Sequence, residues 1–159
     1  MILALETSCD DTSAAVITRD GDPGAFSFPT AAGVGGLDFS FAGLKTALLY
    51  KVRELGEEQA RLRRADLAAS YEHAIVETLI LRVERAIDAE PGTPRLAIGG
   101  GVAANARLLE PAAGLGVPVK IPPVALCTDN AAMIGSAARW VEPVPFPGYL
   151  GLDAYPTAA

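Results

Sequence analysis

Three hydrophobic patterns succeed one another along this 159-residue chain. The first is a pair of short apolar runs, Ile2 to Leu5 and Ala14 to Thr18, separated by the oxygen-rich stretch Glu6 to Ser13. Runs of this length bounded by turn-forming residues predict strands, so residues 1–19 read as a hairpin with a polar tip. Residues 20–37 are rich in Gly, Pro and Ala and read as a linker. From Phe41 the period becomes helical, with Leu44, Leu48, Leu49, Val52 and Leu55 at 3–4-residue spacing and Gly56 as the expected end. Arg61 to Arg64 reads as a short exposed helical turn. A long helix capped by Asp66 is predicted to run to about Ala89. Its stripe is Ala68, Tyr71, Ile75, Leu79, Val83 and Ala86, and Val76 and Ile80 widen the apolar surface enough to sandwich it between neighbours.

After Pro91-Gly92-Thr93-Pro94 the pattern shortens again. Leu96-Ala97-Ile98 predicts a strand that runs into Gly99-Gly100-Gly101, then a helix to about Gly114, a strand over 117–121, and a last helix from Ala131 to about Val141. The proline-rich tail, 143–159, is expected to be extended. This alternation indicates an α/β fold, with residues 38–142 as its core in one compact domain.

Composition narrows the function classes. Leu, Ile, Val and Phe make up about a quarter of the chain, enough for a packed core. The net charge is −6, the wrong sign for a protein that binds nucleic acid by its overall charge. The longest uncharged run, Pro23 to Leu37, is 15 residues of mostly small types. That is short of a membrane span, and the first residues lack the basic start of a signal peptide. Cys9 and Cys127 are too few for a disulfide framework. A cytoplasmic protein with no membrane association is the expectation.

Several groups are candidates for chemistry, each with a structural alternative. The triglycine turn, with Gly100 and Gly101, allows backbone N–H groups to approach an anion or nucleotide, and Asn105 one turn later can reach a base or ribose. Alternatively it is a tight strand-to-helix turn. Asp10 and Asp11, with Ser8, Thr12 and Ser13 around them, suit a magnesium ion and phosphate oxygens, or form a solvated turn. Asp129 is either a helix N-cap or a metal- or phosphate-directed carboxylate. His73, the only histidine, falls on the long helix and reads as structural; with no GxSxG elbow this argues against a Ser/His/Asp hydrolase, and the count alone excludes a two-histidine zinc site within one chain. Six bases from Lys45 to Arg64 form the one local basic excess, either an RNA-facing patch or a solvated helix face.

Taken together, Glu6-Thr-Ser-Cys-Asp-Asp-Thr12, Gly36-Leu-Asp-Phe-Ser-Phe-Ala-Gly-Leu-Lys-Thr46, Gly99-Gly-Gly-Val-Ala-Ala-Asn105 and Cys127-Thr-Asp-Asn-Ala-Ala-Met-Ile134 carry a resemblance. In content and order they resemble the tRNA adenosine threonylcarbamoyltransferase (TsaD-like) family, formerly described as glycoproteases. The resemblance implies an actin-like, sugar-kinase-type ATPase fold, here truncated. It implies transfer of a threonylcarbamoyl group from its adenylate to the exocyclic amine of the adenosine beside the tRNA anticodon. Asp10 and Thr12 would then belong to the phosphate-side hairpin, Gly100, Gly101 and Asn105 to the nucleotide or substrate contact, and Asp129 to a single iron or zinc ion.

Members of that family are longer, and the resemblance implies two further histidine ligands and a Ser-Gly-Gly-His-Thr loop. Neither segment occurs in this chain, which passes from the hairpin straight to Asp22-Pro-Gly-Ala-Phe. The chain alone is therefore expected not to retain the metal or to complete the transfer. The family's implied partners are tRNA reached through other proteins, a related actin-fold protein and a P-loop ATPase. The hairpin is expected to pair onto strands 95–98 and 117–121 in a mixed sheet, or onto a second copy in a swapped homodimer. Two other classes compete: an inactive nucleotide- or partner-binding remnant, and a generic actin-fold ATPase.

Overall fold

The structure is a computed structural model that describes residues 2–6, 13–17, 21–33, 35–37, 39, 41–127 and 131–152. The chain divides into two compact units, one of Met1–Ala97 with Asn105–Lys120 and the other of Ile98–Ala104 with Ile121–Ala159. This division cuts across the 38–142 segment.

The first unit opens with the hairpin. Strands β1 (Ile2–Glu6) and β2 (Ser13–Ile17) pair antiparallel, with Ile2 opposite Ile17 and Glu6 opposite Ser13. Helix α1 spans Ala42–Leu62 and α2 spans Arg64–Ala89. Gly56 has φ 73° and ψ 162°, so α1 breaks where the sequence predicts an end, then resumes for one more stretch. Arg63 alone separates the two helices. Asp66 therefore lies within the first turn of α2 rather than at its N-cap, which is Arg63.

Helix α2 is enclosed by α1, by α3 (Ala106–Ala113), by β2 and by a 3-10 turn over Ala31–Gly33. This matches the sandwiched helix expected from its width of apolar surface. The most buried stripe is nevertheless shifted. Leu67, Ser70, Ala74, Thr78 and Arg82 are buried, whereas Tyr71, Ile75, Leu79 and Val83 are only partly so. The cause is the segment 21–37, which lies against α2 and is anchored to it by polar side chains. Ser70 Oγ accepts from Phe26 N–H and donates to the Asp22 carbonyl, both at 3.1 Å. Asp66 accepts from Asp22 N–H at 3.0 Å. Arg82, only 1 % exposed, donates to the Gly36 carbonyl, and Arg85 donates to that of Ala32. A segment made of Gly, Pro and Ala has few side chains to bury, so its docking is made through its backbone groups, which need partners once removed from water.

Apolar contacts complete this core. Phe28, Leu44, Leu67 and Ala74 form its buried centre, and Tyr71 meets Phe28 edge-on at 5.6 Å between ring centres. Burial holds the Tyr71 phenol pKa above its ordinary value. Gly21 is required where the segment first touches α2, because a Cβ there would fall 2.0 Å from the Ala65 carbonyl oxygen.

Strands β3 (Leu96–Ala97) and β4 (Val119–Lys120) pair in parallel, Leu96 opposite Val119, and are shorter than the sequence predicts. Among the described residues the two strand pairs remain separate two-stranded sheets, so the expected mixed sheet is not formed. The hairpin lies beside α2 instead.

The second unit is built of short turns. Gly101–Ala104 is a 3-10 turn, and α4 (Ala131–Ala137) continues as another over Ala138–Trp140. The tail is not simply extended, since Gly148–Gly151 makes a further 3-10 turn. Cys127 is buried as a free thiol against the carbonyls of Pro122 and Pro123. No described helix is long and apolar enough to cross a membrane.

Candidate nucleotide-side site

The triglycine turn follows β3. Gly100 has φ 72°, a left-handed conformation that favours glycine. Gly99 and Gly101 have no such conformational need, and a Cβ at either would meet no atom of the described residues within 4 Å. Among the described residues, neither backbone conformation nor packing thus explains glycine at these two positions.

Asn105 starts α3. Its side-chain oxygen accepts from Arg107 N–H at 2.9 Å, an N-cap bond, and its Nδ2 donates to Glu72 Oε1 at 3.0 Å. Glu72 on α2 is largely covered, and its second oxygen lies 3.0 Å from Arg107 Nε. Asn105, Glu72 and Arg107 thus lock α3 to α2 through one amide, one carboxylate and one guanidinium. No local pattern betrays the Glu72 contribution, because its partners lie more than thirty positions away in the chain. Gly100 and Gly101 belong to the second unit and Asn105 to the first. Asp10, Thr12 and Asp129 lie outside the described residues.

His73 is exposed. It lines a groove of about 590 Å³ between α2 and α3, together with Val76, Glu77, Ile80, Arg107, Glu110 and Pro111. Two members of the basic cluster are committed internally. Lys51 pairs with Glu54 at 2.7 Å, and Arg63 pairs with Asp66 at 3.1 Å while stacking on Phe26 at 4.3 Å from the ring centre. Lys45, Arg53, Arg61 and Arg64 are exposed.

A family model described as TsaD, tRNA N6-adenosine threonylcarbamoyltransferase, matches residues 6–136. This chain is a member of that family. Curated TsaD relatives agree. A tRNA N6-adenosine threonylcarbamoyltransferase from Anaeromyxobacter dehalogenans is 48 % identical over 130 residues, covering 76 % of this chain and 37 % of the relative. Proteins of the same name from Symbiobacterium thermophilum and Verminephrobacter eiseniae are 41 % and 51 % identical over 147 and 108 residues. Those alignments cover 88 % and 65 % of this chain, and 42 % and 31 % of the relatives. The TsaD match takes in the triglycine turn, Asn105 and Asp129. TsaD membership implies an actin-like fold, and the described residues are α/β with one parallel strand pair.

The resemblance implies one bound metal ion. Among the described residues no group of three His, Cys, Asp or Glu side chains converges to hold an ion. The chain's single histidine is on the exposed side of α2, in the groove rather than in a polar cluster of ligands. The described donor set does not fit a metal centre, and no step is derived through one.

Proposed function

We propose that this protein belongs to the reaction in which a threonylcarbamoyl group passes from threonylcarbamoyl-adenylate to the adenosine adjacent to the anticodon of tRNA. The chain contributes the nucleotide side of that reaction and does not complete the transfer by itself. In the transfer the exocyclic amine attacks the carbamoyl carbonyl carbon, the bond from that carbon to the adenylate oxygen breaks, and adenylate leaves with the electron pair as the amine loses a proton. The observation that carries this reading is the open triglycine turn inside the family-matched span, where Gly99 and Gly101 face space that no atom of the described residues uses. Backbone N–H groups in such a turn donate to phosphate oxygens without hindrance from a Cβ.

An acidic chain favours dependence on other proteins for docking tRNA. The partners proposed are a related actin-fold protein and a P-loop ATPase, working in the cytoplasm.

Titration with an unhydrolysable adenylate analogue tests the site. Gly99→Ala and Gly101→Ala are expected to leave folding intact or slightly firmer, by about 0.4–1 kcal/mol at conformations that alanine tolerates. Both are expected to weaken nucleotide binding at least tenfold, about 1.4 kcal/mol. Unchanged nucleotide affinity in both variants would remove the assignment.

A further inference from the structure

The groove between α2 and α3 and the turn joining α1 to α2 are complementary in charge and hydrophobicity. Val76, Ile80 and Pro111 give the groove an apolar floor, and Glu77 and Glu110 stand exposed on its rim. Neither carboxylate has an ion-pair partner among the described residues, whereas Arg107 beside them is already paired with Glu72. The groove therefore suits an apolar side chain flanked by two cations.

The chain presents such a feature itself. Leu62, at the end of α1, is 70 % exposed, although a leucine there gains nothing from water. Arg61 and Arg64 flank it, both exposed and without ion pairs among the described residues, while Arg63 turns inward to Asp66 and Phe26. We propose that two copies of this chain associate by docking the Arg61-Leu62-Arg64 tip of one into the groove of the other, with the arginines facing Glu77 and Glu110. Tip and groove belong to the same helical unit, roughly 18 Å apart along α2 at 1.5 Å per residue. At about 100° per residue Arg64 lies on the opposite side of α2 from Val76, Glu77 and Ile80, so the contact is heterologous, the tip of one copy meeting the groove of the next. Such a contact is small against the roughly 1,200 Å² of a stable interface, and association in the micromolar range is the expectation. Neither feature overlaps the triglycine turn, so this inference stands or falls independently of the nucleotide reading.

Sedimentation equilibrium on the full chain tests it, with circular dichroism to confirm unchanged helix content. Leu62→Asp is expected to weaken self-association at least tenfold, about 1.4 kcal/mol. Reversing the tip (Arg61→Glu with Arg64→Glu) or the rim (Glu77→Lys with Glu110→Lys) is expected to do the same, and combining the two reversals to restore most of the loss. High salt should weaken the wild-type pair. A wild-type chain that stays monomeric at about 500 μM overturns the proposal. So does a dimer indifferent to Leu62→Asp, or a combined reversal no stronger than either alone.

Discussion

Ser70 is a small residue with a large task. Its hydroxyl is 2 % exposed as part of the residue, and it both accepts from Phe26 N–H and donates to the Asp22 carbonyl. Replacing it with alanine leaves two backbone groups without partners in a covered site. Ser70→Ala is expected to lower stability by about 1–3 kcal/mol, read from the midpoint of urea unfolding at unchanged slope. Asp66 supports the same segment with a charge. The hydrogen bond from Asp22 N–H, followed by that from Arg63, holds its carboxyl pKa below the ordinary 3.8. A lowered folded-state pKa means that the stabilisation is present above the unfolded value and is lost as pH falls through the folded one. Acid unfolding of the wild type should therefore steepen below the ordinary aspartate value, and Asp66→Asn should flatten that limb while leaving the slope near neutrality unchanged. A variant with the same acid limb as wild type would show that the tie contributes nothing.

At the scale of elements, α1 is governed by one glycine. In a straight helix, replacing glycine with alanine stabilises by up to about 1 kcal/mol. Gly56 instead has φ 73° and ψ 162°, a region nearly closed to other residues. Gly56→Ala is expected to destabilise by about 1–3 kcal/mol, measured by thermal or urea unfolding, and a stabilised variant would mean that α1 prefers to be continuous. The helices and strands themselves were legible from periodicity: α2 ends within a residue of the expected Ala89, and Gly56 breaks α1 where its apolar spacing ends. The buried stripe of α2 was not legible. Ser70 and Arg82 are polar residues whose partners are backbone carbonyls 48 and 46 positions away, and no hydrophobic period encodes a bond to a carbonyl. The same blindness hid Glu72, whose carboxylate joins Asn105 and Arg107 of another helix. Of the candidate site, the triglycine turn could be read in advance because glycine chemistry is local, whereas Asn105, expected one turn into the helix, is its N-cap. The openness of the turn could not, since it depends on what fails to pack there.

For the whole molecule, family membership and self-sufficiency are separate matters. The chain carries TsaD motifs from the hairpin to Asp129, yet it spans only 31–42 % of the length of the three curated relatives named above. Its one histidine lines an exposed groove, and Asn105 is occupied in joining two helices. These features are in keeping with the proposal that the chain does not complete the transfer by itself. The most direct measurement is mass spectrometry of nucleosides from unmodified tRNA incubated with the purified chain and threonylcarbamoyl-adenylate, with and without the proposed partner proteins. The account predicts no threonylcarbamoyladenosine above the protein-free background when the chain is the sole protein. Stoichiometric modification of tRNA by the chain alone would contradict it.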